Sequence, residues 1–499
     1  MKRSSTAAPG LLLLLGSLCG NASCEALFGG LATGNPESCV ATPALCKTPD
    51  EVCNTETRVC EPALRIDSVT PAAAPFGQSV PVTLSGKNFV ANMTLSFAGK
   101  PATMLNLDSE SQLSAMAPAG SGSKATVMLD LLSPSSQRLT VSGLFHYFPW
   151  PSFDTVVQTN LPISFKIIRS GDFNQDGRPD LAISGDNAVP VALYYGQAGG
   201  TLLAGPSVAF SSRPYGLALG DVNGDGLVDM VVSETGPKPF MEIALGKADG
   251  TFMPIGTIQT VSTVGAITIL DATADRKADI VIGDGPNVVV YPSLGNGTFA
   301  APINTRHTFQ SMDAGTSVAV GDFNGDGLID LVLCTAKDSR FPVFQNNGNG
   351  TFTQTKSYAY SKNPTQPMVG DFNQDGRLDL AMAVKGAGEI LLYIGDGSGG
   401  FTQGATLSTF SNSDTMGIAD MNGDGTADIV TLDTNALAEN FDIQAGFGNG
   451  QFQRSAPTFL GNMALAGALY VGDLTADGKP DVVIAQRPGT LNLYKNVTP

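Results

Sequence analysis

Seven times along its C-terminal two thirds, the chain passes from a polar, aspartate-rich stretch straight into a short unbroken apolar run, as in "LAIS" after Asp180, "MVVS" after Asp229, "LVLC" after Asp330, "LAMA" after Asp379 and "VVIA" around Val482–Ala485. Runs this short, with no polar residue on either alternate position, predict strands buried on both faces. From Ile66 to Phe148 the pattern is different. Val, Leu and Phe alternate with small polar residues and are broken by turns such as Phe76-Gly77 and Ala98-Gly99, with no helical period, which predicts the half-buried strands of a β-sandwich. Only at the N-terminus does an apolar run stand alone. Leu11 to Leu15 follow Lys2 and Arg3 and precede Gly20-Asn21-Ala22, the layout of a secretory signal peptide over residues 1–23, too short to span a bilayer.

Composition narrows the class. Gly (58) and Pro (31) are frequent and charged residues make up only 15% of 499, which suits many turns and short strands and makes the chain all-β. The net charge of -17 is interrupted by no basic stretch, so nucleic acid is excluded as a partner. Two histidines, His146 and His307, are too few for a zinc site or a histidine dyad, and most hydrolase chemistries are disfavoured with them.

Six of the seven cysteines fall in the first 60 residues. Cys39, Cys46, Cys53 and Cys60 recur every seven residues and predict two disulfides in a cysteine-rich linker over 24–62, with three pairings open. Cys24 is left odd. It follows Asn21-Ala22-Ser23, close to a bacterial lipobox, so a lipid anchor at Cys24 and a plain secreted start are both open. Cys334, inside "LVLC", reads as an inert core thiol.

The polar stretches carry the chemistry. "DFNQDGRPD" at Asp172 recurs as "DVNGDGLVD" at Asp221, "DFNGDGLID" at Asp322, "DFNQDGRLD" at Asp371 and "DMNGDGTAD" at Asp420, with weaker copies "DATADRKAD" at Asp271 and "DLTADGKPD" at Asp473. The starts are 49 to 53 residues apart, room for four short strands and their turns, so seven copies predict a seven-bladed β-propeller. Oxygens at positions 1, 3, 5 and 9, with a carbonyl at 7, can converge on one hard cation, for which calcium fits best. The expected ligands are Asp172, Asn174, Asp176 and Asp180; Asp221, Asn223, Asp225 and Asp229; Asp322, Asn324, Asp326 and Asp330; Asp371, Asn373, Asp375 and Asp379; Asp420, Asn422, Asp424 and Asp428; and Asp473, Thr475, Asp477 and Asp481. The third loop replaces Asn by Thr273 and the position-six Gly by Arg276, so Asp271, Thr273, Asp275 and Asp279 make a weak or empty site. Position 12 is apolar or Thr where an EF-hand needs a bidentate Glu, which excludes that motif. The loops hold 21 of the 45 acidic residues, and seven divalent ions would bring the charge from -17 to -3, so the acidity is mainly a matter of metal.

About 25 residues after each loop comes a glycine-rich turn ending in Phe, such as "GKADGTF" at Phe252, "LGNGTF" at Phe299, "NNGNGTF" at Phe352, "GDGSGGF" at Phe401 and "GFGNGQF" at Phe452, read as a hairpin whose Phe returns to the interblade core. With the aspartate loops, these turns resemble the FG-GAP and VCBS repeats, bacterial relatives of the integrin-alpha propeller, over 150–499. The resemblance implies that each aspartate loop joins the first and second strands of a blade, that its cation is structural, and that the glycine hairpin joins the third and fourth. The order "IDSVTP", "GQSVPVTLSGKNF", "LSFAGKPAT", "VMLDLL" and "FHYF" over 63–148 resembles the IPT/TIG immunoglobulin-like family, which implies a spacer or docking module with no catalytic residues. The seventh blade lacks a fourth strand, and "SFDTVVQTN" at 152–160 is expected to supply it.

The expected function is that of a bacterial exported scaffold or adhesion protein, secreted or at the cell surface (an outer-membrane lipoprotein if Cys24 is lipidated). It would act as a calcium-stabilised monomer that touches the membrane only through that lipid and catalyses nothing. Its partner, a protein or polysaccharide, would meet the propeller face opposite the calcium loops, where "TGPKPF" (235–240), "AKDSRF" (336–341), "VKGAGE" (384–389) and "QRPGT" (486–490) vary from blade to blade, with Arg213, Tyr215, Tyr358, Tyr360 and Lys362 nearby. The alternatives are a carbohydrate-binding lectin, disfavoured by the single Trp150, and a non-catalytic module or relative of an extracellular hydrolase or lyase, disfavoured by the absence of a nucleophile motif.

Overall fold

A computed structural model describes residues 51–53, 60–120, 125–134, 136–154 and 157–160, and then 165–498 except for 186–189, 213, 235–238, 308–316, 335–339, 361–363, 385, 411–412, 414, 435–439, 456–457, 460–465 and 487–488. Every regular element among these residues is a strand, and no helix is long and apolar enough to cross a membrane. The expected signal peptide, Cys24, Cys39 and Cys46 lie outside the described residues. The short hairpin Glu51–Cys53 with Cys60–Pro62 sets the backbone of Cys53 opposite that of Cys60. The chain divides into two compact units, one up to Tyr147 and one from Phe148 on.

In the first unit the strands Arg65–Thr70, Val80–Lys87, Gln112–Ala117 and Thr103–Ser109 form one antiparallel sheet in that order. Arg138–Val141, Leu129–Leu132, Thr94–Phe97 and Lys100–Pro101 form a second. Strict alternation drives this packing. Along Val80–Lys87, Val80, Val82, Leu84 and Gly86 point inward, and Leu84 meets Phe89, Phe97, Leu113, Leu129 and Phe145 in one core. His146 sits in the closing strand, opposite Thr126, with its amide bonded to the Ala72 carbonyl.

Among the described residues the second unit forms seven antiparallel sheets, six of them consecutive in sequence; six are four-stranded, and the one that begins at Thr415 carries a fifth short strand, Thr458–Phe459, paired with Asn440–Gly446. The first is Phe165–Gly171, Asp180–Gly185, Ala192–Gly196 and Leu202–Ala204, and the same order repeats through the sheet that begins at Thr415. Each second strand is buried along its whole length, as the apolar runs require. First strands of neighbouring sheets pack on one another at six junctions, including the last, Ala466–Gly472, on the first, Phe165–Gly171. Sheets three and four share the core of Leu270, Val281, Val288, Leu331 and Phe344. The sheets therefore close into a ring with first strands innermost.

Closure uses both ends of this unit. Val157–Asn160 pairs antiparallel with Thr490–Tyr494, setting Val157 against Leu493 and Asn160 against Thr490. Just before it, Asp154 donates its amide to the Lys495 carbonyl, Ser152 accepts from the Val497 amide, and Phe153 packs edge-on against Phe441 with ring centres 5.2 Å apart. Without that strand the seventh sheet would end in an unpaired edge at Thr490–Tyr494.

Candidate metal centre

Each aspartate loop joins a first strand to a second, and each glycine turn joins a third to a fourth, so both sets lie at the same end of the ring. In the loop at Asp172, the Asp176 amide donates to Asp172 Oδ1 at 3.0 Å and to Asn174 Oδ1 at 3.1 Å, and the Gly177 amide donates to Asp172 Oδ2 at 2.9 Å. The loops at Asp322, Asp371 and Asp420 repeat these bonds. Side-chain oxygens from positions 1 and 3 thus crowd a single amide, with the position-five carboxylate on the same turn. Two carboxylates and an amide oxygen, all hard donors, fit a calcium ion.

The turn needs a left-handed backbone at position six, where Gly177, Gly327 and Gly425 have φ of 80°, 86° and 89°. Arg276 adopts the same conformation at 67°, a strain of about 1–2 kcal/mol for a residue with a Cβ. In that third loop Thr273 Oγ1 donates to Asp279 Oδ2 at 3.1 Å, so the hydroxyl is engaged by the buried ninth residue as well as by Asp275 of the turn. Basic side chains at position seven lie on the position-five carboxylate in three loops: Arg178 on Asp176 (3.3 Å), Lys277 on Asp275 (3.1 Å) and Arg377 on Asp375 (2.5 Å). These exposed pairs contribute little to stability.

The ninth aspartate has a further, structural part. Asp180, Asp229, Asp279, Asp330, Asp379, Asp428 and Asp481 are all fully buried at the start of the second strand. In every loop one oxygen takes the position-two amide, as Asp330 Oδ2 does from Phe323 at 3.2 Å, and the other takes an amide where the third strand ends, as Asp330 Oδ1 does from Asn346 at 2.9 Å. Among the described residues no three His, Cys, Asp or Glu side chains are gathered at one point. The ninth carboxylate is thus a clamp between loop and sheet, and positions 1, 3 and 5 form the open part of the donor set. Burial pushes these clamps up, Asp229 and Asp330 to about 6, against the opposing pull of their amide bonds, and the neighbouring loop aspartates add to the rise.

The same end of the ring is interlocked between blades. The hairpin residues Phe252, Phe401 and Phe452 pack edge-on against Phe173, Phe323 and Phe372, the position-two residues of the preceding loops, at 5.3, 5.3 and 5.8 Å. Hairpin amides of Gly350, Gly399 and Gly450 bond the carbonyls of Ala272, Phe323 and Phe372. Gln175 and Gln374, at position four, reach across to the carbonyls of Gly226 and Gly425.

At the opposite end, nearly half of the variable loop positions, Arg213 and Lys362 among them, lie outside the described residues. Two residues counted with that face belong elsewhere. Tyr358 stacks on Phe341 at 4.8 Å and accepts the Phe401 amide, and Tyr360 is buried against the same Phe341, so both pack the seam between the fourth and fifth sheets. Sequence reasoning also missed a set of buried acids there. Glu234 lies against Glu242, which takes the amide and hydroxyl of Ser211, and Asp284 takes the amides of Val261 and Ser262, so these acids pin the crossovers between blades. Burial above all, with the Glu242 carboxyl beside it, lifts Glu234 to about 7.

Comparison with known proteins accords with this geometry. The FG-GAP-like repeat model matches residues 172–232, 271–333, 323–382 and 371–431, and the IPT/TIG domain model matches 64–147. Cartilage acidic protein 1 of Mus musculus is 26% identical over 192 residues, 35% of this chain and 29% of that protein, so the chain spans less than a third of that relative's length. Among solved structures, BBS1N in complex with ARL6DN superposes with a TM-score of 0.50 at 12% identity, over 68% of this chain and 96% of that one, a likeness of fold alone. A lectin of Agrocybe aegerita that recognises non-reducing terminal N-acetylglucosamine gives a TM-score of 0.45 at 18% identity, over 80% and 97%. Repeats and domains of these two kinds are typical of extracellular proteins, where they are binding modules and not usually catalytic. The chain is therefore an FG-GAP-repeat β-propeller preceded in sequence by an IPT/TIG domain.

Proposed function

We propose that the protein is an exported scaffold or adhesion protein, stabilised by calcium, that binds a protein or polysaccharide at the cell surface through the propeller end opposite the aspartate loops and catalyses nothing. The observation that carries this reading is the contrast between the two ends. At one end the same loop and hairpin recur and are tied to one another by shared bonds and ring contacts. At the other, the connections differ in length, charge and aromatic content, which leaves them open to recognition. Calcium at positions 1, 3 and 5 would neutralise the carboxylates that the turn crowds together.

Two measurements test the reading on the full chain. Metal analysis should find five to seven calcium ions per chain, and chelation should lower the melting temperature, because an ion that binds only the folded state stabilises it; fewer than three ions would sink the calcium part. Reversing the charges of Lys337, Arg340 and Lys385 should weaken binding to the surface of the producing cells with melting and calcium content unchanged. If that variant binds normally while a folded Asp326→Ala does not, recognition belongs to the loop end.

A further inference from the structure

The seven first strands that enclose the axis of the ring are almost free of charge. Apart from Lys166, at the bulge between Phe165 and Ile167, their single charged residue is Arg169, and both belong to the first blade. One residue along, the ring of partly exposed side chains beside the axis is Leu219, Ile269, Val320, Val369, Ile418 and Val471, an apolar wall completed by Ser170. Pairing registers put Arg169, Ala218, Thr268, Ala319, Met368, Gly417 and Tyr470 at one level, each two residues before the partner of a ninth-position aspartate. None of the other six carries a charge, and Ala218, Ala319 and Gly417 carry little or no side chain.

Arg169 is exposed to solvent, yet burial pushes its guanidinium below the usual value, and no charged neighbour contributes to that shift. Both hold for a side chain that stands in water but is walled by protein on all sides. One of its five N–H groups bonds the Ile168 carbonyl at 2.9 Å, and among the described residues no carboxylate pairs with it. A guanidinium stays protonated in such a place, and between apolar walls its field is screened less than in bulk water. In a chain of net charge -17, the axis is a local inversion of sign.

We propose that the axial channel is an anion site, in which Arg169 holds a small free oxyanion of the sulfate class through the paired N–H groups of its guanidinium. The planar fork suits two oxygens of one anion, and the neutral apolar surroundings make the anion the only compensation available nearby among the described residues.

The test follows thermal unfolding of the full chain with sodium sulfate replacing chloride at constant ionic strength. The midpoint of the native protein should rise by a few degrees and saturate, as for a bound ligand. Arg169→Met should be at least as stable as the native protein in sulfate-free buffer, because it removes an uncompensated charge, and should show only the small unsaturating rise that sulfate gives most proteins. An equal response in both proteins overturns the proposal, as does an Arg169→Met chain that is destabilised or does not fold without sulfate, since the guanidinium would then have a partner in the protein. Independently of any variant, crystals of the native chain soaked in selenate should show an anomalous selenium peak at Arg169, and a map without one overturns the assignment.

Discussion

Replacing residues 152–160 by a glycine-serine segment of the same length keeps the chain continuous and removes only the strand that closes the ring. Four residue pairs are lost, from Val157–Leu493 to Asn160–Thr490, and with them about four backbone hydrogen bonds at roughly 0.5–1.5 kcal/mol each. Phe153, half-buried against Phe441, adds about 2 kcal/mol, below the 3–5 kcal/mol of a fully buried ring. The flexible replacement also opens the edge over Leu491 and Leu493, which are 1% and 2% exposed in the closed ring. The total is on the order of 5 kcal/mol, enough to lower the melting midpoint of the propeller by roughly 10 °C. Calorimetry of the full chain reads this, and a synthetic peptide spanning 150–161 added in excess should restore part of the loss by pairing in trans. An unchanged midpoint would refute the reasoning, because the seventh sheet would then hold without its fourth strand.

The ninth-position clamp predicts that, at pH 4.5 and without calcium, where the Asp330 carboxyl is mostly neutral, Asp330→Ala costs about 2–4 kcal/mol from two stranded amides. Asp279→Ala should cost as much, although its loop lacks the glycine and asparagine of the others; urea unfolding showing a loss only at Asp330 would reject the clamp. Glu234 titrates near 7 in the folded chain against 4.5 when free, so its contribution to stability falls as pH rises from 4.5 through 7 and is flat above. Glu234→Gln should flatten that slope and melt higher than the native protein at pH 8, and an unchanged slope would show that the pair with Glu242 does not govern it.

Much of this was legible in the sequence because repetition samples one environment many times. A single Asp-Asn-Asp-Gly run is an ordinary turn, but seven at a spacing near 50, each followed by a fully apolar strand, leave little besides a propeller. The hairpin phenylalanines and the closing strand could be read for the same reason, since a repeat shows what its last copy lacks. Position four was overlooked. Gln175, Ala274, Gln374 and Ala476 take the left-handed backbone there at φ of 56–57°, where other copies carry glycine, and a residue that tolerates the conformation gives no signal of it.

Other features could not be read along the chain, because they depend on which atoms face which. Tyr358 and Tyr360 are indistinguishable in sequence from surface tyrosines, and they pack inward because Phe341 is opposite them in the fold. Burial of the ninth aspartate places its two oxygens against amides from separate elements, 7 and 16 residues away in the case of Asp330, and only the folded blade brings these together. Arg169 likewise becomes singular only once six other first strands join its own around the axis, since the lack of a countercharge is a property of the ring and not of any segment. The sequence by itself determined the class, the repeat and the local turn chemistry, because these depend on neighbours along the chain. Only tertiary structure decided which carboxylates clamp amides, which aromatics are buried and where an unpaired charge stands, because each is set by residues that the chain keeps far apart.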